Sequence, residues 1–265
     1  MYDYFKIEKH QYITKVIINR PEKRNAMNRK FFTELNAIFN NLSADKDTRV
    51  ILITGTSYNG SSFFSSGIDI NELAEKSTSS ISEMKTFGKE LQESISSIEK
   101  IEKPVIALIN GYCYGSGFEL ALACDFRITT KIAQIGLLET NIGLIPDLGG
   151  TTRLVKIVGT NVAKKVILLA DKYTSDEAYK LGLVDWIVEE EELENKGLEV
   201  AHKLLNNAPL AIGVAKRIID QIYSQTQETG LLIEQLAQLE LLKSEDAKEA
   251  FIAKLEKRKP EFKGL

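Results

Sequence analysis

Residues 103–119 read Lys-Pro-Val-Ile-Ala-Leu-Ile-Asn-Gly-Tyr-Cys-Tyr-Gly-Ser-Gly-Phe-Glu, and this stretch decides the fold. Its apolar part, 104–109, is bounded by Pro and Gly and predicts a buried strand. A glycine-rich turn follows, and residues 118–124 favour a short helix. Residues 115–117 therefore lie at a strand-to-helix junction. The first amides of a helix have no intrahelical acceptor, so they can bind an anion or a developing oxyanion.

Two glutamates accompany this junction. Glu119 falls in the first turn of the predicted helix, and Glu139 lies further along, after the strand-like segment 126–130. Such a path can bring the second carboxylate back to the first. A glycine-rich turn also occurs where a helix simply packs against a sheet, so the turn alone leaves both interpretations open.

The blocks 103–107, 110–125 and 143–153 resemble the enoyl-CoA hydratase/isomerase, or crotonase, family. The earlier segment 65–70, Ser-Ser-Gly-Ile-Asp-Ile, resembles the other signature of that family, and the motifs occur in the same order. The resemblance implies an α/β fold, a crotonase-like spiral of repeated ββα units. It also implies a helical C-terminal region that forms a homotrimer, often paired into a hexamer.

The same resemblance implies a set of site residues. Glu119 and Glu139 match the catalytic carboxylates, and the backbone N–H groups of Ile68 and Ser116 match the oxyanion-hole donors. Family members commonly have Gly at the position of Ser116, so its hydroxymethyl group must fit beside the substrate. No metal and no separate cofactor are implied, because coenzyme A is part of the acyl-CoA thioester substrate. The residues implied to bind substrate or coenzyme A are Arg24, Ala26, Gly67, Asp69, Ile70 and Gly115.

Three functions compete at this stage. The first is hydration of a 2-enoyl-CoA to a 3-hydroxyacyl-CoA. The second is migration of the double bond of an enoyl- or dienoyl-CoA by Glu139 and Asp147, since certain isomerases of the family place an acid at the position of Asp147. The third is a non-catalytic or RNA-binding role. Migration needs no activated water, so the presence of Glu119 beside Glu139 favours hydration, with Asp147 shaping the acyl pocket.

Composition narrows the class of protein. The chain has 265 residues, 43% hydrophobic and 27% charged, with a net charge of -3, which predicts a globular protein with no general attraction to nucleic acid. No apolar run is long enough to span a bilayer and the start of the chain has no signal-like segment, so we expect a cytoplasmic protein without membrane contact. Cys113 and Cys124 are predicted to be buried apolar residues. His10 and His202 lie outside the motifs, which leaves a Ser-His or Cys-His nucleophile unsupported.

The pattern before residue 103 predicts scaffold elements. A starting hairpin spans 5–19, and Asn28 can cap a helix whose apolar side chains recur at helical spacing to Leu42. A buried strand, 50–54, precedes a Gly- and Ser-rich loop, 55–67. The polar segment 72–82 is interpreted as a mobile loop, and a long amphipathic helix follows it.

The pattern after residue 153 predicts mainly helices. Thr174 and Glu177 form a capping box, Gly182 suits the end of that helix, and 183–188 is typical of a strand. From residue 190 the chain is predicted to be helical to its end, with breaks near Pro209 and near 226–229. We therefore divide the chain into a crotonase-like catalytic body, residues 1–200, and a helical C-terminal region, residues 201–265.

Overall fold

The computed structural model describes residues 2–76 and 78–265, which form two β-sheets surrounded by helices. The strands are β1 (Phe5–His10), β2 (Ile13–Ile18), β3 (Val50–Gly55), β4 (Ser57–Tyr58), β5 (Ser61–Ser65), β6 (Val105–Ile109), β7 (Tyr112–Tyr114), β8 (Phe126–Thr130), β9 (Gln134–Gly136), β10 (Tyr173–Thr174) and β11 (Trp186–Val188). The α-helices are α1 (Arg29–Ala44), α2 (Ile70–Lys76), α3 (Ile81–Lys100), α4 (Ser116–Leu122), α5 (Gly150–Leu169), α6 (Ser175–Lys180), α7 (Leu193–Leu205), α8 (Pro209–Ile222), α9 (Gln227–Leu241) and α10 (Glu245–Leu255). Short 3-10 helices span Pro21–Lys23, Glu139–Ile142 and Glu190–Glu192.

The two sheets are built by a repeating unit. The larger sheet has the order β1-β2-β3-β6-β8-β11 and is parallel from β2 onward, whereas the smaller has the order β10-β9-β7-β5-β4 with a parallel centre. β3, β6 and β8 lie in the larger sheet, and each is followed by a strand of the smaller sheet (β5, β7, β9) and then by helix. This is the predicted spiral of ββα units.

The centre of the larger sheet is buried on both faces. Along β3, Ile51 and Ile53 belong to the main core, while Val50 and Leu52 face a second cluster beneath α7. Consecutive side chains of a strand point to opposite faces, so a strand covered on both sides is apolar throughout. That explains the continuous Val-Ile-Leu-Ile run. Within the described residues no helix is both long enough and apolar enough to cross a membrane.

Several predicted elements are confirmed. β1 and β2 form the starting hairpin, and the Asn28 side chain accepts a hydrogen bond from the amide of Phe31 at 3.1 Å. Thr174 and Glu177 form a complete capping box. Cys113 and Cys124 are both buried.

The predicted loops before residue 119 were partly wrong. The loop 55–67 contains β4 and β5, and the turn after β6 contains β7. These strands are too short for a clear alternation. β5 and β7 are stabilised by pairing with distant strands of the smaller sheet, and β4 pairs locally with β5. α4 begins at Ser116, two residues before the predicted start.

The segment 72–82, interpreted as a mobile loop, begins within α2. The Asp69 carboxylate accepts a hydrogen bond from the Asn71 amide at 3.2 Å, and the Asp69 carbonyl accepts one from the Glu72 amide at 3.0 Å. These bonds start a helix that composition alone did not indicate. Ser77, within the same prediction, lies outside the described residues.

Corrections also apply near the C-terminus. The predicted strand 183–188 is limited to β11, because Leu183 and Val184 pack into the main core after α6. The helical region has an additional break before α10, where Ser244 caps the new helix, and residues 256–265 are not helical. Residue 200, the predicted boundary between body and C-terminal region, lies inside α7, and the division stays a prediction.

Candidate active site

The Ser116 amide lies at the junction between β7 and α4. β7 ends at Tyr114, Gly115 adopts a φ of 53°, and α4 begins at Ser116. The Gly115 amide donates to the carbonyl of Gly136 at 2.9 Å, which fixes the turn against β9. In contrast, the N–H of Ser116 has no acceptor among the described residues, although the residue is only 6% exposed. A buried amide without a partner is unusual and indicates a position where a ligand accepts the bond.

The Ile68 amide follows β5 and lies beside this junction. The N–H of Met27 donates to the carbonyl of Gly67 at 2.9 Å, and the carbonyl of Met27 accepts from Asp69 at 2.7 Å. These bonds hold the segment on both sides of Ile68, whose own N–H finds no acceptor in residues 2–76 and 78–265. A methyl group added to Gly67 would lie 3.5 Å from the nitrogen of Ser116, so the two segments are in close contact. Two neighbouring unpaired amides can stabilise one oxyanion.

Glu119, in the first turn of α4, is 1% exposed. Its Oε2 accepts hydrogen bonds from the amides of Leu148, at 2.8 Å, and Gly150, at 2.7 Å. Burial, reinforced by the charge of Glu139, raises the pKa of Glu119 to about 8, and the two amides only partly oppose this rise. A carboxylate with such a pKa can accept a proton near neutral pH.

Glu139 is the first residue of its 3-10 helix, and its carboxyl group lies against Gly115. A Cβ at Gly115 would be 3.0 Å from Oε1 of Glu139, so a side chain here would press on this carboxyl group, and the φ of 53° also favours glycine. Both carboxyl oxygens are buried without a hydrogen-bond partner in the described part of the chain. Burial raises the pKa of Glu139 to about 7 and the charge of Asp147 adds to the rise, while the nearby backbone amides of Glu139 and Leu138 partly oppose it.

Asp147 is the third carboxyl group in this region. Its negative charge raises the pKa of both Glu119 and Glu139, which places it within electrostatic reach of each. Asp147 is exposed by surface area, and partial burial of its carboxyl group beside the site raises its own pKa. The structure therefore brings all three predicted carboxyl groups together. None of the described His, Cys, Asp and Glu side chains forms a group of three or more suited to holding a metal ion.

The residues predicted to contact coenzyme A lie on two segments that are hydrogen-bonded to each other. The Ser66 amide donates to the Arg24 carbonyl at 3.0 Å, and the Arg24 guanidinium lies over the ring of Phe63, 5.9 Å from its centroid. Ala26 is buried, whereas Ile70 is 71% exposed. These two segments thus form one continuous edge that leads to the Ile68 amide.

Sequence reasoning missed several residues around the site. Arg20 donates to the carboxylate of Asp69 at 2.9 Å and to the carbonyl of Ala26 at 2.9 Å, so it ties the two segments together. The amides of Leu148 and Gly150, which hold Glu119, were not identified either. Backbone donors carry no side-chain signal, and the spacing between Arg20 and Asp69 does not reveal their contact.

Comparisons with known proteins place these observations in a family. The family model described as enoyl-CoA hydratase/isomerase matches residues 8–265. The chain is 36% identical over 255 residues to a short-chain-enoyl-CoA hydratase of Clostridium acetobutylicum, covering 96% of this chain and 95% of that protein. It is 34% identical over 261 residues to a crotonyl-CoA hydratase of Syntrophomonas wolfei, covering 98% of each.

Solved structures agree with these sequence comparisons. The crystal structure of an enoyl-CoA hydratase from Bacillus anthracis matches with a TM-score of 0.91 at 32% identity, covering 99% of this chain and 100% of that one. The predicted crotonase-like α/β spiral is thereby confirmed. From its sequence and its fold together, the chain belongs to the enoyl-CoA hydratase/isomerase family.

Proposed function

We propose that this protein adds water across the 2,3 double bond of a 2-enoyl-CoA and releases a 3-hydroxyacyl-CoA. The observation that carries this proposal is a pair of glutamates, Glu119 buried as a whole and Glu139 with both carboxyl oxygens buried, beside two amides that have no acceptor among the described residues. The names of the relatives, a short-chain-enoyl-CoA hydratase and a crotonyl-CoA hydratase, support the same reaction.

The thioester carbonyl binds between the amides of Ile68 and Ser116. Attack at C3 moves electrons onto the carbonyl oxygen, and the resulting enolate is stabilised by donors that are already oriented. Coenzyme A enters as part of the substrate, so no separate cofactor takes part. Its contacts are proposed along the edge formed by Arg24, Ala26, Gly67, Asp69, Ile70 and Gly115.

The two glutamates move the protons. Glu119 accepts a proton from water as the water oxygen bonds to C3, and Glu139 donates a proton to C2 as the enolate collapses. The two glutamates thus share one proton throughout: Glu139 holds it before the reaction and Glu119 holds one after it. Hydrogen bonds favour this starting arrangement, because the two amides that donate to Glu119 at 2.8 and 2.7 Å stabilise its ionised form. We therefore assign the starting proton to Glu139, although burial leaves Glu119 with the higher pKa.

Double-bond isomerisation is the second candidate function. Asp147 lies within electrostatic reach of Glu139, and its own pKa is raised, which are properties of a group that could relay a proton. Hydration is favoured because Glu119, which isomerisation does not need, is fixed by two hydrogen bonds.

Assembly and location complete the proposal. Large apolar side chains are exposed along α9 and α10, which favours burial against other copies in a homotrimer or a dimer of trimers. A cytoplasmic location stays a prediction. The exposed apolar residues of these two helices are Leu231, Leu232, Leu236, Leu239, Phe251, Ile252 and Leu255.

Ser116→Pro tests the oxyanion donor. Ser116 is the first residue of α4, a position that accepts proline, and its N–H bonds to no group among the described residues, so the substitution removes the donor without breaking a hydrogen bond of the helix and places the ring Cδ where the N–H pointed. We expect kcat for crotonyl-CoA hydration to fall by about 10²- to 10³-fold, with Ser116→Ala close to wild type. A folded proline variant with full activity would show that this amide is not used.

Glu119→Gln and Glu139→Gln test the proton-transfer groups. Each keeps the shape of the side chain and removes its ability to exchange a proton, so each should lower kcat by about two orders of magnitude or more. Acyl-CoA affinity, measured by calorimetry, should change little. Normal hydration by either variant would exclude that glutamate from catalysis.

The pH dependence of kcat/KM should be bell-shaped. Activity needs one proton on the pair, whose pKa values are raised to about 7 and about 8. Activity should fall below about pH 7, where both carboxyl groups are protonated and no base is left, and above about pH 8, where no acid is left. A profile that is flat from pH 6 to pH 9 contradicts the shared-proton mechanism.

Asp147→Asn separates hydration from isomerisation. If Asp147 only shapes the acyl pocket, the variant should hydrate crotonyl-CoA within about tenfold of wild type. Incorporation of oxygen from labelled water should persist. The isomerase assignment is supported instead if wild-type product contains no label, a 3-enoyl-CoA is converted efficiently, and Asp147→Asn loses that conversion.

A further inference from the structure

The backbone amides and the backbone carbonyls of the loop Pro146–Gly150 make contacts with different parts of the protein. Its amide side faces Glu119, where Leu148 and Gly150 both donate to Oε2. Oε1 of Glu119 accepts no hydrogen bond from the described residues, so it is left to exchange a proton. The orientation of Glu119 therefore depends on how firmly this loop is held.

The carbonyl side of the same loop is held by α3 and α5. The Gln92 side chain donates to the carbonyl of Asp147 at 2.6 Å, and that carbonyl shares a peptide group with the Leu148 N–H. The backbone amide of Arg153 donates at 2.9 Å to the carbonyl of Gly149, which shares a peptide group with the Gly150 N–H. Each peptide group that binds Glu119 is thus fixed at its opposite end as well.

Arg153 also fixes the peptide between these two. Its Nη1 donates to the carbonyl of Leu148 at 3.0 Å, and the residue is 6% exposed. Glu99 accepts from Nε at 3.0 Å and from Nη2 at 2.9 Å, which sets the plane of the guanidinium. Gly149 has a φ of 99°, and a side chain at this position would overlap Nη1, so the loop lies directly on the guanidinium.

We propose that Arg153, oriented by Glu99 and assisted by Gln92, is a positioning residue for Glu119: it holds the loop so that the Leu148 and Gly150 amides stay directed at the carboxylate. This inference rests on the proposed function, in which Glu119 is the base that activates water. Arg153 itself contacts none of the reacting atoms.

Loosening the loop has a defined electrostatic consequence. The two amides stabilise the ionised form of Glu119 and lower its pKa, whereas burial above all, and then the charges of Glu139 and Asp147, raise it. When the amides are less well directed, the raising influences prevail and the pKa of Glu119 increases further. The base is then protonated over a wider acidic range. Because the starting proton is assigned to Glu139, the lower of the two titration steps of the pair is the ionisation of Glu119, so the acid limb of the pH profile moves to higher pH.

A second buried arginine, Arg127, provides a matched control for the alternative that Arg153 has a purely structural role. Arg127 is also buried, 5% exposed, and also donates to a carboxylate, that of Asp185, and to backbone carbonyls. Its contacts include Leu183 and Cys124, and none of them is in the loop Pro146–Gly150. Arg127→Lys therefore reproduces the loss of a buried guanidinium without releasing the loop.

The experiment compares Arg153→Lys, Gln92→Ala and Arg127→Lys in full-length protein, with kcat, KM and Tm measured across pH on crotonyl-CoA. In Arg153→Lys we expect kcat to fall about tenfold, KM to stay within about twofold, and the acid limb to move up by about one pH unit. Gln92 is exposed, so Gln92→Ala should fold normally and move the limb in the same direction by a smaller amount. Arg127→Lys should lower Tm while its acid limb stays at the wild-type position.

The outcomes separate this inference from the proposed function. Full activity of Glu119→Gln, or no hydration by wild-type protein, contradicts the proposed function itself. The positioning role alone is overturned by a different set of results. In that case wild type is active and Glu119→Gln is inactive, but the acid limb stays in place in both Gln92→Ala and Arg153→Lys. Should Arg153→Lys fail to fold, Gln92→Ala alone decides by the presence or absence of the shift.

Discussion

The candidate site depends on one constraint: the carboxyl group proposed as its base is buried in the interior. Glu119 lies between Phe118 and Leu120 on α4, and all three side chains are buried. An ionised carboxylate in such surroundings is destabilised unless donors compensate it. Two backbone amides compensate in part for the burial of the charge, and because burial has the larger effect the pKa of Glu119 stays raised, at about 8. The balance is what makes Glu119 suitable as a base near neutral pH.

The repeating ββα unit explains why the site has several separate contributors. In each of three units, the strand of the smaller sheet ends shortly before one functional group: β5 before the Ile68 amide, β7 before the Ser116 amide, and β9 before Glu139. β5, β7 and β9 are adjacent and parallel. Their carboxyl ends therefore meet at one edge, and a spiral of similar units converts distant sequence positions into neighbours.

Unpaired polar groups concentrate where these strands end. Buried amides and carboxylates in proteins are normally hydrogen-bonded, because an unmet partner costs stability. Here the amides of Ile68 and Ser116 and both carboxyl oxygens of Glu139 have no partner among the described residues. The surrounding core, which covers both faces of the larger sheet, stabilises the fold that holds these groups in place. The usual pairing of buried polar groups is thus missing at the place where a bound substrate would supply the partners.

The sequence by itself determined the long, periodic elements and the identity of the candidate residues. β3 and β6 are continuous apolar runs, α1 and α3 show regular apolar spacing, and the box at Thr174 is a local signal, so each could be read from neighbouring residues. Glu119 and Glu139 were found because they lie in recognisable motifs. The short strands β5 and β7 could not be predicted, because their stability comes from pairing with distant segments rather than from their own composition, and β4, of two residues, pairs only with β5. Only the tertiary structure decided which groups hold Glu119, since its partners are backbone amides of a remote loop that Arg153 fixes from behind. The raised pKa values were likewise decided there, because they arise from burial and from the approach of a second charge, and neither exists before the chain folds.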